Sequence, residues 1–406
     1  MFQRHFGFIA NVVVVSAMLC AASARVCAAE ENPFFPLTAW DDVRSEETIR
    51  KMAECGVNLI AFVPPNLLDA CEKHGVKAIV FDPRVTPAWD KPFSSASANA
   101  VLPELIEKYN KHPAVFGYHL KDEPDGGQFA ELAKSTALVR KLAPGKWSYI
   151  NLTPGMGDWY AKEHVQAFVD QCKPPILSYD NYPIGEITEF SYGYWANMWD
   201  VRSVAVKNDI PFHTILLTAA HFNYRVPSAA DLRLQMFGAL AYGARGLGFY
   251  KFCSEPLSVL DAPDLGNFRG PLDEFGEKTR VWEDLRNVNR QVLNLAPTLL
   301  KLRSDDVYHV PGEVPERNHG VTDASLVTGL EAGTAFVIGD FTHEDDGSRW
   351  VMIVNKNLKE SAFCRPKFRT EPTSVRYVSP VTGELKTFPA PWYALAPGQS
   401  VLPKLD

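Results

Sequence analysis

From Phe35 to about Arg303 the chain repeats one unit: a short apolar run, a polar turn, then a segment of helical periodicity. Near-continuous apolar runs read as strands buried on both faces, and the periodic segments between them read as helices laid over those strands. In the first unit, Pro36-Leu37-Thr38-Ala39-Trp40 leads to Ser45 as an N-cap and to Glu46 and Glu47 in the first helical turn. Ile49, Met52 and Ala53 mark that helix's inner face and Gly56 its stop. Further strands are predicted at 57–63, 76–81, 115–120, 147–152, 175–179, 212–217 and 246–252. The closing helix sets Val281, Leu285, Val288, Val292 and Leu295 on one stripe. An open doubly wound sheet has the same local pattern. The count of eight, with no Gly-rich phosphate loop after the first strand, favours a (β/α)8 TIM barrel over residues 30–303.

After Leu302 the period changes. Ala335 to Phe341 and Arg349 to Val354 flank Asp346-Gly347, a hairpin signal, and Ser374 to Val378 and Leu385 to Phe388 flank Thr382-Gly383. Residues 304–406 are therefore predicted to form an antiparallel β-sandwich domain.

Residues 1–29 read as a cleaved export signal. Arg4 and His5 precede an apolar run from Ile9 to Ala22, and small residues follow around Val26-Cys27-Ala28-Ala29. The run is short for a membrane span, although an uncleaved signal anchor is the alternative. A secreted or periplasmic location follows. Beyond the signal lie Cys55, Cys71, Cys172, Cys253 and Cys364, an odd number with no C-x-x-C, so buried free thiols are expected. The net charge of −7 and the lack of a Lys/Arg block argue against a nucleic-acid partner. Nothing in the sequence marks an isologous surface, so it leaves the oligomeric state open.

In such barrels the reactive side chains project from the C-terminal strand ends. Strand four leads into Lys121-Asp122-Glu123-Pro124, neighbouring ionisable groups whose carboxyls are candidates for split pKa values. Capping of the next helix, or pairing with Lys121, is the plainer alternative for both acids. Strand six ends Tyr179-Asp180-Asn181-Tyr182-Pro183, where Asp180 suits a nucleophile, a base or a loop-holding turn equally well. Strand eight leads to Lys251 and Glu255, strand seven to His221, and strand one to Trp40 and Asp42. These five, with Tyr182 and Asp122, are candidate substrate contacts; each aromatic or His alone would serve equally as packing. There is no H-E-x-x-H, G-x-S-x-G or Walker loop, and no metal or cofactor is expected.

Together these features resemble the clan of retaining glycoside hydrolases that includes the β-galactosidases and cellulases. Phe34-Phe35-Pro36-Leu37 leading to Trp40, and Ala53-Glu54-Cys55-Gly56-Val57-Asn58, are similar to that clan's opening strand and turn. The resemblance implies that Glu123 matches the acid/base Glu of the clan's Asn-Glu-Pro, with Asp122 in place of the Asn. The clan's nucleophile, a Glu after strand seven, has no counterpart, because residues 211–223 contain no carboxylate. Lys121-Asp122 is also similar to a second barrel clan, whose Asp there is the nucleophile. The expectation is an exported glycoside hydrolase acting on a poly- or oligosaccharide, with Glu123 as general acid and Asp180 as nucleophile or base. Asp122 and Glu255 stand in reserve. The alternative is a non-catalytic carbohydrate-binding barrel.

Overall fold

The computed structural model describes residues 34–187, 189–191, 193–261, 268–331, 334–389 and 392–406. The expected export signal, with Cys20 and Cys27, lies outside the described residues. Eight parallel strands close into a barrel in chain order. They are β1 (Leu37–Asp42), β2 (Leu59–Val63), β3 (Lys77–Val80), β4 (Val115–Asp122), β5 (Trp147–Leu152), β6 (Leu177–Asp180), β7 (Phe212–Leu217) and β8 (Leu247–Tyr250). Pairing of Leu37 with Leu247 and of Ala39 with Phe249 seals the last strand to the first. The helices are α1 (Glu46–Glu54), α2 (Leu68–Lys73), α3 (Ser95–Tyr109), α4 (Phe129–Leu142), α5 (Gln166–Cys172), α6 (Gly193–Lys207), α7 (Ala229–Ala241), the short α8 (Leu257–Leu260) and α9 (Arg280–Leu299).

Local chemistry sets these boundaries. The Ser45 hydroxyl accepts from the Thr48 amide and starts α1, and Gly56, at φ +91°, ends its turn where a side chain would be strained. The predicted stripe of α9 is buried in full: Val281, Leu285, Val288, Val292 and Leu295. Burying each such side chain contributes about 1.5–3 kcal/mol over leaving it exposed.

The strand that carries the sharpest motif runs two residues further than its apolar run, to Asp122. Lys121 is the reason a charged pair fits there. Its stem is buried while its ammonium donates to the Trp89 carbonyl at 2.7 Å. Asp122 is therefore the last strand residue, in register with Asn151 of β5.

The remaining strands are β9 (Leu302–Val310), β10 (Val327–Leu330), β11 (Phe336–His343), β12 (Arg349–Asn355), β13 (Ala362–Phe363), β14 (Pro366–Phe368), β15 (Val375–Val378), β16 (Leu385–Thr387), β17 (Ala394–Leu395), β18 (Ser400–Val401) and β19 (Pro403–Leu405). One antiparallel sheet runs β16-β15-β19-β12-β11-β9, with β18 also on β12; β10–β14 and β13–β17 form two ribbons. The large sheet is apolar on both faces. Val337, Met352 and Val354 join the core of the barrel, whereas Phe336, Ile338, Val351 and Ile353 form a second core with Leu395 and Phe388. Contact with the barrel is close enough that a Cβ on Gly339 would lie 2.1 Å from the Ala241 carbonyl oxygen. The architecture is a TIM barrel with a C-terminal β-sandwich. All five cysteines among the described residues are free, four of them buried and Cys253 partly so. Among the described residues no helix is long and apolar enough to cross a membrane.

Candidate active site

The C-terminal ends of β4, β5 and β6 bring two carboxyl groups, and the backbone of a third acid, to one residue. Asn151, at the end of β5, donates its side-chain amide to Oδ1 of Asp180 at 2.7 Å and to Oδ1 of Asp122 at 3.3 Å. Its backbone carbonyl accepts the amide of Glu123 at 2.8 Å. The Asn151 side chain is itself fixed, because Ser178 Oγ donates to its Oδ1 at 2.9 Å and Ser178 is bonded to the buried Tyr149 hydroxyl. Glu123 sits at φ +45°, a left-handed conformation that a non-glycine residue adopts at a cost. Such strain persists only where the surroundings hold it, and it gathers at working sites. Its Oε2 accepts from Trp89 Nε1 at 2.9 Å.

Burial dominates the acid–base state of the cluster. It pushes Asp122 up to about 7, with the Glu123 charge adding to the effect and the Asn151 amide opposing it. Burial also carries Asp180 well above the usual carboxylate range, helped by the charges of Glu123 and Asp122. Near pH 7 the Asp122–Asp180 pair therefore retains a proton, which is the state that general acid chemistry requires.

Beside these acids stands an aromatic wall. Tyr182 stacks on Tyr250, with ring centroids 5.4 Å apart, and meets His221 and Tyr224 edge-on at 5.4 and 5.6 Å. Burial raises the Tyr182 hydroxyl well above its usual range, with the Asp180 charge next in effect, so Tyr182 remains a neutral donor. His221 is buried, its Nδ1 against the Ala219 carbonyl at 2.9 Å; burial lowers its pKa and keeps the ring neutral. Further round the mouth, Lys251 pairs with Glu255 and lies 3.7 Å from Asp41. Burial opposes the Lys251 charge, but these two carboxylates together raise its pKa. Asp41 accepts the Cys253 amide at 2.6 Å, and burial lifts its carboxyl to about 6.

Most of the residues singled out in the sequence fall in this region, with three differences. Asp42 faces outward and pairs with Arg44 at 3.0 Å; its neighbour Asp41 faces the mouth, because successive strand residues point to opposite sides. Trp40 is buried inside the barrel against Phe62, His119 and Tyr149, with centroids 4.7–5.5 Å apart. It packs the core below the mouth. Neither Asp122 nor Glu123 caps the following helical turn, since Asp125 performs that task. The sequence reading missed Asn151, Asp41, Trp89 and Tyr250. A polar residue near the end of the apolar run Trp147–Leu152 was the available signal for Asn151.

Fold and mouth together define the class: a (β/α)8 barrel with buried carboxyl groups at the C-terminal ends of its strands, followed by an antiparallel β domain. Among solved structures the chain is similar to a glycoside hydrolase family 5 protein from Bacteroides vulgatus ATCC 8482, with 13% identity, a TM-score of 0.59, and coverage of 92% of this chain and 89% of that one. A second glycoside hydrolase matches at 13% identity and TM-score 0.57, covering 92% and 93%. A β-galactosidase from the psychrophilic Marinomonas ef1 matches at 12% identity and TM-score 0.50 over 64% of this chain, which spans 60% of that protein's length. At these identities the likeness is one of fold. No protein-family model matches the sequence, and no curated protein does.

Proposed function

We propose that this protein is an exported glycoside hydrolase that cleaves O-glycosidic bonds of a poly- or oligosaccharide with a pair of carboxyl groups. Residues 1–29 are the signal, 30–303 the catalytic barrel and 304–406 the β domain. The observation that carries the proposal is the convergence of Asp122, Glu123 and Asp180 on Asn151, in surroundings that retain a proton. Burial supports giving the acid's part to Asp180 instead of Glu123. Asp180 passes its proton to the glycosidic oxygen as the C–O bond breaks. As it does so, Glu123 takes the proton of an attacking water in an inverting course; in a retaining one it bonds the anomeric carbon, and a water deprotonated by the now ionised Asp180 then breaks that bond and frees the sugar. Tyr182 and Tyr250 offer the sugar ring a wall, backed by the buried His221, and Lys251 offers a donor to hydroxyl groups.

The test is release of reducing ends from a panel of polysaccharides and aryl glycosides, with Glu123→Gln and Asp180→Asn run beside the unaltered protein. Each substitution should lower kcat by about 10²–10⁴-fold. The anomer released first separates inversion from retention. The end of β7, Leu217-Thr218, carries no carboxylate and favours a second reading, a sugar-binding barrel without turnover. Saturable sugar binding with no hydrolysis of any substrate would establish that reading instead.

A further inference from the structure

A separate cavity of about 430 Å³ is lined by Phe190 before α6, Trp195 near its start, Leu234 of α7, and Lys356 and Asn357 just after β12, with Glu189 and Lys359 also on the lining. No member of the carboxylate cluster lines it. Its aromatic side is rigid, because Trp195 stacks on Phe190 at 5.6 Å and on Tyr242 at 5.7 Å. Lys356 is the cation on this cavity. Its Nζ lies 5.8 Å from the Trp195 ring centroid and 3.0 Å from His309 Nδ1.

The hydrogen bonds behind Lys356 have one consistent direction. His309 is buried and neutral, so Nδ1 accepts from the ammonium and the ring proton sits on Nε2. Nε2 then donates to the Tyr242 hydroxyl at 2.9 Å, and that hydroxyl donates to Asn318 Oδ1. The chain thus spends one ammonium N–H on a neutral acceptor and leaves the others toward the cavity. Among the described residues no carboxylate is paired with Lys356. Lys359, the other lysine on the lining, is already paired with Glu189 at 2.9 Å. Burial opposes the charge of this ammonium and the Glu313 carboxylate supports it without forming an ion pair with it, so the fixed ammonium favours an anion that can accept from it directly.

We propose that this cavity binds a small organic carboxylate, with its carboxylate on Lys356 and its flat apolar part against Trp195, Phe190 and Leu234. The volume suits a molecule of one or two rings. Sulfate or phosphate would meet the charge but leave the aromatic side uncovered.

The test uses the full chain and benzoate as probe, with benzyl alcohol and inorganic sulfate as controls, followed by calorimetry. Site occupancy is read as protection of Lys356 from acetylation by an N-hydroxysuccinimide ester, followed by mass spectrometry of the Lys356 peptide. Benzoate is expected to bind at one site, to bind at least about tenfold more tightly than benzyl alcohol, and to slow labelling of Lys356. Lys356→Met should weaken benzoate about tenfold or more, and Lys356→Arg should restore most of the loss. The comparison of benzoate with benzyl alcohol needs no variant, so it decides the matter even if Lys356→Met does not fold. Sulfate binding as tightly as benzoate overturns the organic part of the proposal. Equal binding of benzoate and benzyl alcohol, unprotected Lys356, or no saturable binding overturns the site.

Discussion

Asn151 donates to Asp180 at 2.7 Å, so a neutral amide, and not a cation, holds this buried carboxyl group. The distinction matters for chemistry. An Arg or Lys at the same distance would pull the Asp180 pKa down and strip its proton. An amide fixes the group while leaving burial to set its state, and the same amide reaches Asp122 at 3.3 Å. Asn151 is thus a positioning residue for two acids by its side chain and for Glu123 by its backbone.

Asn151→Ala should lower kcat about 10²-fold with little change in KM, because the residue orients the acids and does not bind sugar. The pH–rate profile supplies the readout that a merely structural role would not move. Losing the amide removes an interaction that favours ionised Asp180, so its pKa rises and the alkaline limb shifts to higher pH. An alkaline limb that stays in place in the variant would refute this role.

Asp122 allows a stability test that does not depend on any substrate. Its carboxyl titrates at about 7 in the fold against an ordinary 3.8. Between those values the folded state keeps a proton that the unfolded chain has released. The group's stabilisation is therefore complete below pH 3.8 and lost as pH rises through 7. Asp122→Asn removes that loss, so the Tm of the variant minus that of the unaltered protein should climb between pH 5 and pH 8. Buried His119 and His213, each lowered to about 3 by burial, have the opposite pH dependence, but they are common to both proteins and cancel. A Tm difference flat across this range would mean that Asp122 does not titrate there.

How far the sequence discloses this molecule depends on what each residue's neighbours do. The eight strands and the Asp346-Gly347 hairpin are legible because apolar runs and turn residues are local signals. Asp122, Glu123 and Asp180 are legible because carboxylates at strand ends stand out. Asn151 is not, since its importance lies in facing β4 and β6 at once, and one strand's sequence does not report its partners' register. The choice between Asp41 and Asp42 turns on strand phase. A one-residue shift exchanges inside for outside, and the apolar run alone does not fix the phase at its last residues. Trp89 reaches Glu123 from the connection after β3, a contact between residues 34 positions apart with no periodic trace.

Gly339 marks where the β domain is pressed onto the barrel. A methyl group there would stand 2.1 Å from the Ala241 carbonyl oxygen and 2.9 Å from the Phe341 ring. One of these atoms is backbone, so relief requires α7 and β11 to separate. Gly339→Ala should therefore destabilise the protein by about 1–3 kcal/mol, measured by urea titration, with normal kcat at low temperature. Unchanged stability would show that the sheet does not seat on α7 this closely.

Lys251 sits between Glu255 and the nearly buried Asp41, and its own exposure is small, 8%. Removing one partner from a buried charge cluster leaves the others uncompensated, a loss of about 3–5 kcal/mol when both carboxylates are ionised. The loss depends on pH. Asp41 titrates at about 6 with Lys251 present, and without that cation burial acts unopposed by its nearest positive charge, so its pKa moves higher still. At pH 5 Asp41 carries its proton in either protein and the substitution removes little from it; at pH 8 the unaltered protein has an ionised pair to lose. Lys251→Met should accordingly lower Tm more at pH 8 than at pH 5, measured by calorimetry on both proteins in the same buffers. Equal losses at the two pH values would show that Lys251 acts there by packing its stem and not by its charge.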